Sequence, residues 1–187
     1  MKQIGVLALQ GAFAEHKQVV EQLGHRALEL RQRRDLNNSL DGIIIPGGES
    51  TVIGKLLKEL DMLDYLRHII RDGLPVMGTC AGMILLAKEI SNDSSRYLSL
   101  MDIRVRRNAY GRQLGSFSVD SIFRGIGKIT MTFIRAPYIE EVNEGAGVEI
   151  LATVNDKIVA ARQKNMLATA FHPELNCLDV HKYFLNI

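Results

Sequence analysis

The chain has 187 residues, 47% of them hydrophobic and 24% charged, with a formal net charge of +2. That is enough chain for one domain with a full core and ordinary globular composition. The near-neutral charge leaves no electrostatic footprint for nucleic acid or a membrane surface. Two distant cysteines, Cys80 and Cys177, build neither a disulfide framework nor a zinc site, so a reducing cytoplasm is the expected compartment.

Residues 4–9 form a continuous apolar run after Met1-Lys2. The run is too short for a secretory signal and reads as a central parallel strand covered on both faces. Gln10-Gly11 turns the chain. Phe13, His16, Val20 and Leu23 then fall at helical spacing, with Gly24 as the stop. Residues 27–30 are a second strand, 31–38 a polar loop, and 42–45 a third strand rich in β-branched residues. Pro46-Gly47-Gly48-Glu49-Ser50-Thr51 follows at once. Here Ser50 or Thr51 is expected to cap a helix starting near Val52. Leu56, Leu57, Leu60, Leu63, Leu66, Ile69 and Ile70 continue the helical spacing, split over two short helices and closed by Gly73 and Pro75.

Leu74-Pro75-Val76-Met77 reads as a buried strand, and Met83-Ile84-Leu85-Leu86-Ala87 begins a buried helix. Between them lies Gly78-Thr79-Cys80-Ala81-Gly82, the thiol counterpart of a nucleophile elbow. Glycines 78 and 82 are expected to let the backbone turn sharply and pack closely. The first half is thus an α/β parallel-sheet pattern, in which functional groups gather at the carboxyl ends of strands. In the second half, residues 101–107, 114–119, 130–134, 148–154, 158–163 and 167–171 look like strands, some of them antiparallel, with Asn155-Asp156 a hairpin turn. Residues 179–185 close the chain as a helix with Val180, Tyr183 and Phe184 inward. No repeat, linker or bilayer-spanning segment is evident, and residues 1–187 read as a single domain.

A thiolate nucleophile needs a base, and the base needs an orienting group. Of five histidines, His16, His25, His68 and His181 fall in or beside helices and read as solvated or packed structural residues. His172 sits at a strand end, followed by Pro173 and Glu174. In extended backbone an i, i+2 pair points the same way, so Glu174 can steady the imidazole while its other nitrogen faces Cys80. Acyl transfer also needs donors for the developing oxyanion, and the backbone N–H groups of Gly48 and Ala81 are the candidates. Cys177 has no neighbouring base and reads as structural. Read alone, the basic strand Arg104-Val105-Arg106-Arg107 faces solvent and Arg135 is a surface ion-pair partner.

Gly78-Thr79-Cys80-Ala81-Gly82, Pro46-Gly47-Gly48-Glu49-Ser50-Thr51 and Phe171-His172-Pro173-Glu174-Leu175 together resemble class I glutamine amidotransferase domains, whose triad has the order Cys, His, Glu. Further segments narrow the resemblance to the glutaminase subunits of pyridoxal 5′-phosphate synthases. These are Leu9-Gln10-Gly11-Ala12, Arg107-Asn108 with Gly111-Arg112-Gln113, Ser116-Phe117, and Phe133-Ile134-Arg135-Ala136-Pro137. The resemblance runs the whole length of the chain.

It implies a three-layer, flavodoxin-like α/β fold with a mostly parallel sheet and added antiparallel strands. It implies hydrolysis of L-glutamine to L-glutamate and ammonia through a glutamyl thioester on Cys80, with His172 and Glu174 completing the triad. By the same resemblance, Gly48, Glu49, Ser50, Arg107, Ile134 and Arg135 contact L-glutamine, and neither metal nor cofactor is required. Pyridoxal phosphate would be the product of a separate (β/α)8-barrel synthase subunit, which receives the ammonia in an assembly of twelve copies of each chain. Other readings are a glutaminase for another ammonia-using synthase, such as imidazole glycerol phosphate synthase, and a non-enzymatic stress protein with a Cys elbow. The first lacks the Gly-Gly-Glu-Ser-Thr and Ile-Arg-Ala-Pro segments, and the second lacks His-Pro-Glu. The chain departs from the family pattern at Arg106, at Ala109-Tyr110 and at Asn176-Cys177-Leu178.

Overall fold

The computed structural model describes residues 1–91, 93–107 and 115–187. The motif residues Asn108, Gly111, Arg112 and Gln113, the departures Ala109 and Tyr110, and the strand position Leu114 lie outside them. Four central strands read as expected from their apolar runs: β1 (Gln3–Leu7), β3 (Gly42–Ile45), β4 (Val76–Thr79) and β12 (Met166–Thr169). All but the first residue of β1 are buried along them, because helices cover both faces. With β2 (Arg26–Leu30) at one edge, they pair in parallel in the order β2-β1-β3-β4-β12.

The order matters for the site. The chain leaves β1 toward β2 and then crosses back to β3, so the strand order reverses between β1 and β3. Crevices at the carboxyl ends of strands open at such a reversal. The loops after β1 and after β3 face each other there, and β4 is next in line.

Helix α1 (Phe13–Gln22) packs against α5 (Leu178–Leu185). Helix α2 (Ser50–Glu59) packs against α3 (Leu63–Arg71) and against α4 (Ala81–Leu86). Opposed crossovers out of β1 and β3 put helices on both faces of the sheet, since such connections are right-handed. Helix α2 begins at Ser50, earlier than expected, with Glu49 before its first residue and no side-chain cap. Ser50 is therefore inside the helix and not its cap. The polar loop after β2 contains a 3-10 turn, Arg33–Asn37, fixed by reciprocal bonds between Gln32 and Asp35.

The second half adds β5 (Ala87–Ile90), β6 (Met101–Arg106), β9 (Tyr138–Val142), β10 (Val148–Val154) and β11 (Lys157–Gln163) to the same sheet. Strands β11 and β9 run antiparallel to their neighbours. Asn155 and Asp156 both have positive φ, 49° and 60°, as the tight hairpin between β10 and β11 demands. Strands β7 (Ser116–Phe123) and β8 (Gly127–Ile134) form a separate hairpin.

Strands β5 and β9 were not expected. Their sequences, Ala-Lys-Glu-Ile and Tyr-Ile-Glu-Glu-Val, carry charges that disfavour strand. Cross-strand ion pairs to β6 supply the missing preference: Lys88 with Asp102, and Arg104 with both Glu89 and Glu141.

Candidate active site

Cys80 stands between β4 and α4 with φ 50° and ψ −101°, a conformation that side-chain-bearing residues rarely adopt. Such strain costs on the order of 1–3 kcal/mol and persists only where surrounding bonds over-determine it. Here the Cys80 N–H donates to the Thr169 carbonyl at 2.8 Å, and the Cys80 carbonyl accepts from the Ile84 N–H at 3.3 Å. The sharp turn is thus taken by the cysteine itself. The flanking glycines serve close packing instead: neither has positive φ. A Cβ on Gly82 would lie 2.1 Å from the Ile45 carbonyl oxygen, and one on Gly78 would lie 2.6 Å from the Gly82 backbone.

His172 follows β12, the strand paired with β4 in the register Thr169 to Thr79. Its N–H donates to the Thr132 carbonyl of β8 at 2.8 Å. Phe171 is fully buried, edge-on to Phe133, which stacks on Phe117 at 4.8 Å. This aromatic ladder fastens the β7–β8 hairpin beneath the histidine. Residues 173–176 form a turn, closed by the Leu175 N–H on the His172 carbonyl. The His172–Glu174 contact is therefore made by a turn, not by the extended backbone expected, yet Nδ1 and Glu174 Oε1 stand 2.6 Å apart. Burial works against a charged His172, but hydrogen bonds and charge from Cys80 and Glu174 outweigh it and push its pKa up to about 10. Imidazole and carboxylate are thus hydrogen-bonded, and the cysteine completes the line: its nearness favours the charged ring.

The loop after β3 closes over this line. A Cβ on Gly47 would fall 2.4 Å from His172 Cε1 and 3.4 Å from Cys80 Cβ, so only glycine fits. The loop after β1 holds it in place: the Ala12 N–H donates to the Gly47 carbonyl at 3.0 Å, and the Gln10 side chain accepts from the Glu49 N–H at 2.8 Å. Gly48 lies against that same side chain, 2.4 Å from its Oε1 to where a Cβ would stand.

A cavity of about 950 Å³ opens above, and Cys80, His172, Gly48, Glu49, Ser50, Arg107, Ile134 and Arg135 all line it. Ala81, the first residue of α4, is buried directly after the cysteine. Arg107 is not a solvated member of a basic strand. It is paired with Asp93 at 2.6 Å and with the Tyr97 hydroxyl at 3.2 Å. Arg135 takes a positive φ of 44° at the end of β8. Arg106 pairs with Glu140 at 3.3 Å, away from the cavity lining. Cys177 is buried before α5, and that burial pushes its thiol pKa up.

Two further residues belong to the site's support, and the sequence reading left them among the structural histidines. His16 and His181 have no exposed surface. His16 Nδ1 lies 2.9 Å from His181 Nε2, while His16 Nε2 lies 3.1 Å from Thr79 Oγ1 and 3.3 Å from Glu174 Oε2. The available signal was the helical spacing itself, which puts His16 on the same buried face as Val19 and Val20.

Burial, then the nearness of His181 and His172, keeps the His16 pKa well below its usual value. Burial, partly offset by the Cys177 backbone, lowers that of His181 to about 4. Below pH about 6.5 the unfolded chain therefore takes up protons that these two rings refuse, and stability falls as pH falls. The raised pKa of His172 acts in the opposite window: its contribution is complete below pH about 6.5 and is lost as pH rises toward 10. Urea unfolding between pH 6.5 and 4.5 is expected to show a steep acid slope. In His181→Gln that slope shrinks by about 1 kcal/mol per pH unit. An unchanged slope refutes the neutral, buried His181.

The geometry brings a cysteine, a histidine and a carboxylate together at one end of a doubly wound sheet, and the class of protein follows from comparison with known proteins. Residues 6–187 match the SNO glutamine amidotransferase family, and the chain belongs to that family. It is 58% identical over 188 residues to the pyridoxal 5′-phosphate synthase subunit PdxT of Haemophilus influenzae (strain PittGG), covering 98% of this chain and 97% of that one. It is 56% identical over 184 residues to the PdxT of Desulfitobacterium hafniense (strain Y51), covering 98% and 92%. A crystal structure of a glutamine amidotransferase superposes with a TM-score of 0.92 at 45% identity, covering 98% of this chain and 97% of that chain. The expected class I fold is the observed one.

Proposed function

We propose that this chain hydrolyses L-glutamine to L-glutamate and ammonia and passes the ammonia to a partner synthase that makes pyridoxal 5′-phosphate. The observation that carries the chemistry is Cys80 and His172 together in the lining of one cavity, with buried Glu174 2.6 Å from the His172 Nδ1. The Cys80 sulfur attacks the side-chain amide carbon of glutamine. His172 carries the thiol proton and delivers it to the departing nitrogen, which leaves as ammonia. Water, giving up a proton to His172, then cleaves the thioester, releasing glutamate and restoring the thiol.

The N–H groups of Gly48 and Ala81 hold the oxyanion, and Glu174 keeps His172 in the tautomer that faces the sulfur. Gly48, Glu49, Ser50, Arg107, Ile134 and Arg135 hold glutamine. An arginine suits its α-carboxylate through paired hydrogen bonds. The 187 residues act as one amidotransferase domain in the cytoplasm, on a barrel-shaped synthase, twelve copies to twelve. No helix among the described residues is long and apolar enough to cross a membrane.

The test is ammonia and glutamate release from L-glutamine, with and without the barrel synthase encoded by the same organism. Equimolar products that rise with the synthase present, and pyridoxal phosphate formation by the pair, are the expected results. Absence of glutamine turnover in the complex refutes the reading.

A further inference from the structure

The proposed mechanism uses one oxygen of Glu174. The other, Oε2, belongs to a side chain with no exposed surface and makes no hydrogen bond of good geometry among the described residues. A buried carboxylate oxygen without a donor is costly, on the order of a few kcal/mol. The nearest polar hydrogen source is the ring of His16, whose Nε2 lies 3.3 Å away and 3.1 Å from Thr79 Oγ1. Thr79 directly precedes Cys80, so His16 stands between the residue beside the nucleophile and the carboxylate behind the base.

The tautomers of the pair follow from the carboxylate. His16 and His181 share a single hydrogen between Nδ1 of the first and Nε2 of the second, 2.9 Å apart. If His16 kept its proton on Nδ1, its Nε2 lone pair would face the carboxylate lone pairs at 3.3 Å. With the proton on His16 Nε2, that repulsion becomes attraction, and His16 Nδ1 accepts from the His181 Nε2–H. His181 Nδ1 then carries no hydrogen, and it makes no hydrogen bond of good geometry among the described residues, the Cys177 carbonyl included. The groups facing His16 are thus His181 from α5, Thr79 from β4, and Glu174 and His172 from the segment after β12.

We infer that His16 is a positioning residue for glutamine hydrolysis: its Nε2–H holds Glu174 Oε2, and His181 fixes the tautomer that makes this possible. This rests on the Cys80–His172–Glu174 reading given above. Removing the donor leaves Oε2 unpaired, so the carboxylate loses part of its preference for the rotamer that faces His172. A ring forced neutral by burial suits this task, since it offers a donor to the carboxylate without adding a second cation beside the His172 imidazolium.

The experiment compares His16→Leu, His16→Gln and His16→Asn in the full chain with its synthase partner. A Gln amide reaches the Nε2 position and an Asn amide only the Nδ1 position. His16→Leu and His16→Asn are expected to lose about tenfold to a hundredfold in kcat, the range seen when a supporting hydrogen bond is removed. KM for glutamine should stay within about twofold, because the substrate is not touched. His16→Gln restores most of kcat. In a Glu174→Gln background, His16→Leu should have no further effect.

Wild-type kcat in His16→Asn, or an equal fold-loss in both backgrounds, overturns the role of His16. Full activity of Glu174→Gln by itself overturns the triad and the inference with it. The Asn and Gln variants differ by one methylene and keep the site polar, so their contrast decides the matter even where the Leu variant does not fold.

Discussion

Cys80→Ala is expected to lower glutamine hydrolysis by at least about 10⁴-fold, with ammonia release falling to that of the uncatalysed reaction in the pocket. The sulfur lines the cavity together with a histidine held by a carboxylate. Without it no covalent intermediate forms, and the oxyanion donors act on a carbonyl that nothing attacks. The variant should fold, because alanine keeps Cβ and the backbone bonds to Thr169 and Ile84. Cys80→Gly should be equally inactive, yet melt no lower than Cys80→Ala, since glycine relieves the positive φ. Mass spectrometry of the wild-type chain quenched during turnover should find the glutamyl adduct on Cys80 and not on Cys177. Ammonia release undiminished in Cys80→Ala rejects the covalent route outright.

Gly47→Ala carries the second large effect. The added methyl would sit 2.4 Å from His172 Cε1 and 3.1 Å from Nδ1, well inside contact distance. The φ of Gly47 is not positive, so alanine itself is not strained there. The Gly47 carbonyl is anchored by the Ala12 N–H, which leaves the imidazole to yield. A shift of roughly 1 Å in a catalytic group costs on the order of 100-fold in rate. The expectation is therefore a loss of that size in kcat, with the thermal midpoint lowered by only a few degrees. Alkylation of Cys80 by iodoacetamide should slow in parallel, because the base has been pushed from the sulfur. Wild-type alkylation and kcat together refute the packing of Gly47 against His172.

Much of the fold was legible because its central strands are uninterrupted apolar runs and its functional turns carry glycine, proline and a single cysteine. Cys80, His172 and Glu174 each follow a strand-like segment, so their meeting at one sheet end could be anticipated. What could not be read was anything set by tertiary pairing. Strands β5 and β9 owe their state to charges on β6, invisible to local propensity. His16 and His181 are 165 residues apart and meet only because α1 packs on α5. Arg107 was assigned to substrate by resemblance, and its partner Asp93 sits within an unremarkable stretch of serines and charges. The location of strain was also misjudged: glycines flank the elbow, but the cysteine carries the unusual torsion.

Thr79 and Thr169 are register partners on adjacent parallel strands, and the Cys80 N–H extends that pairing by one more bond. Cys80 and the strand that leads to His172 therefore ride on neighbouring rails whose gauge is the repeat of backbone pairing, about 4.8 Å. Nothing at the rim of the molecule sets that gauge. The edge strand β2 can drift in sequence while that spacing stays fixed.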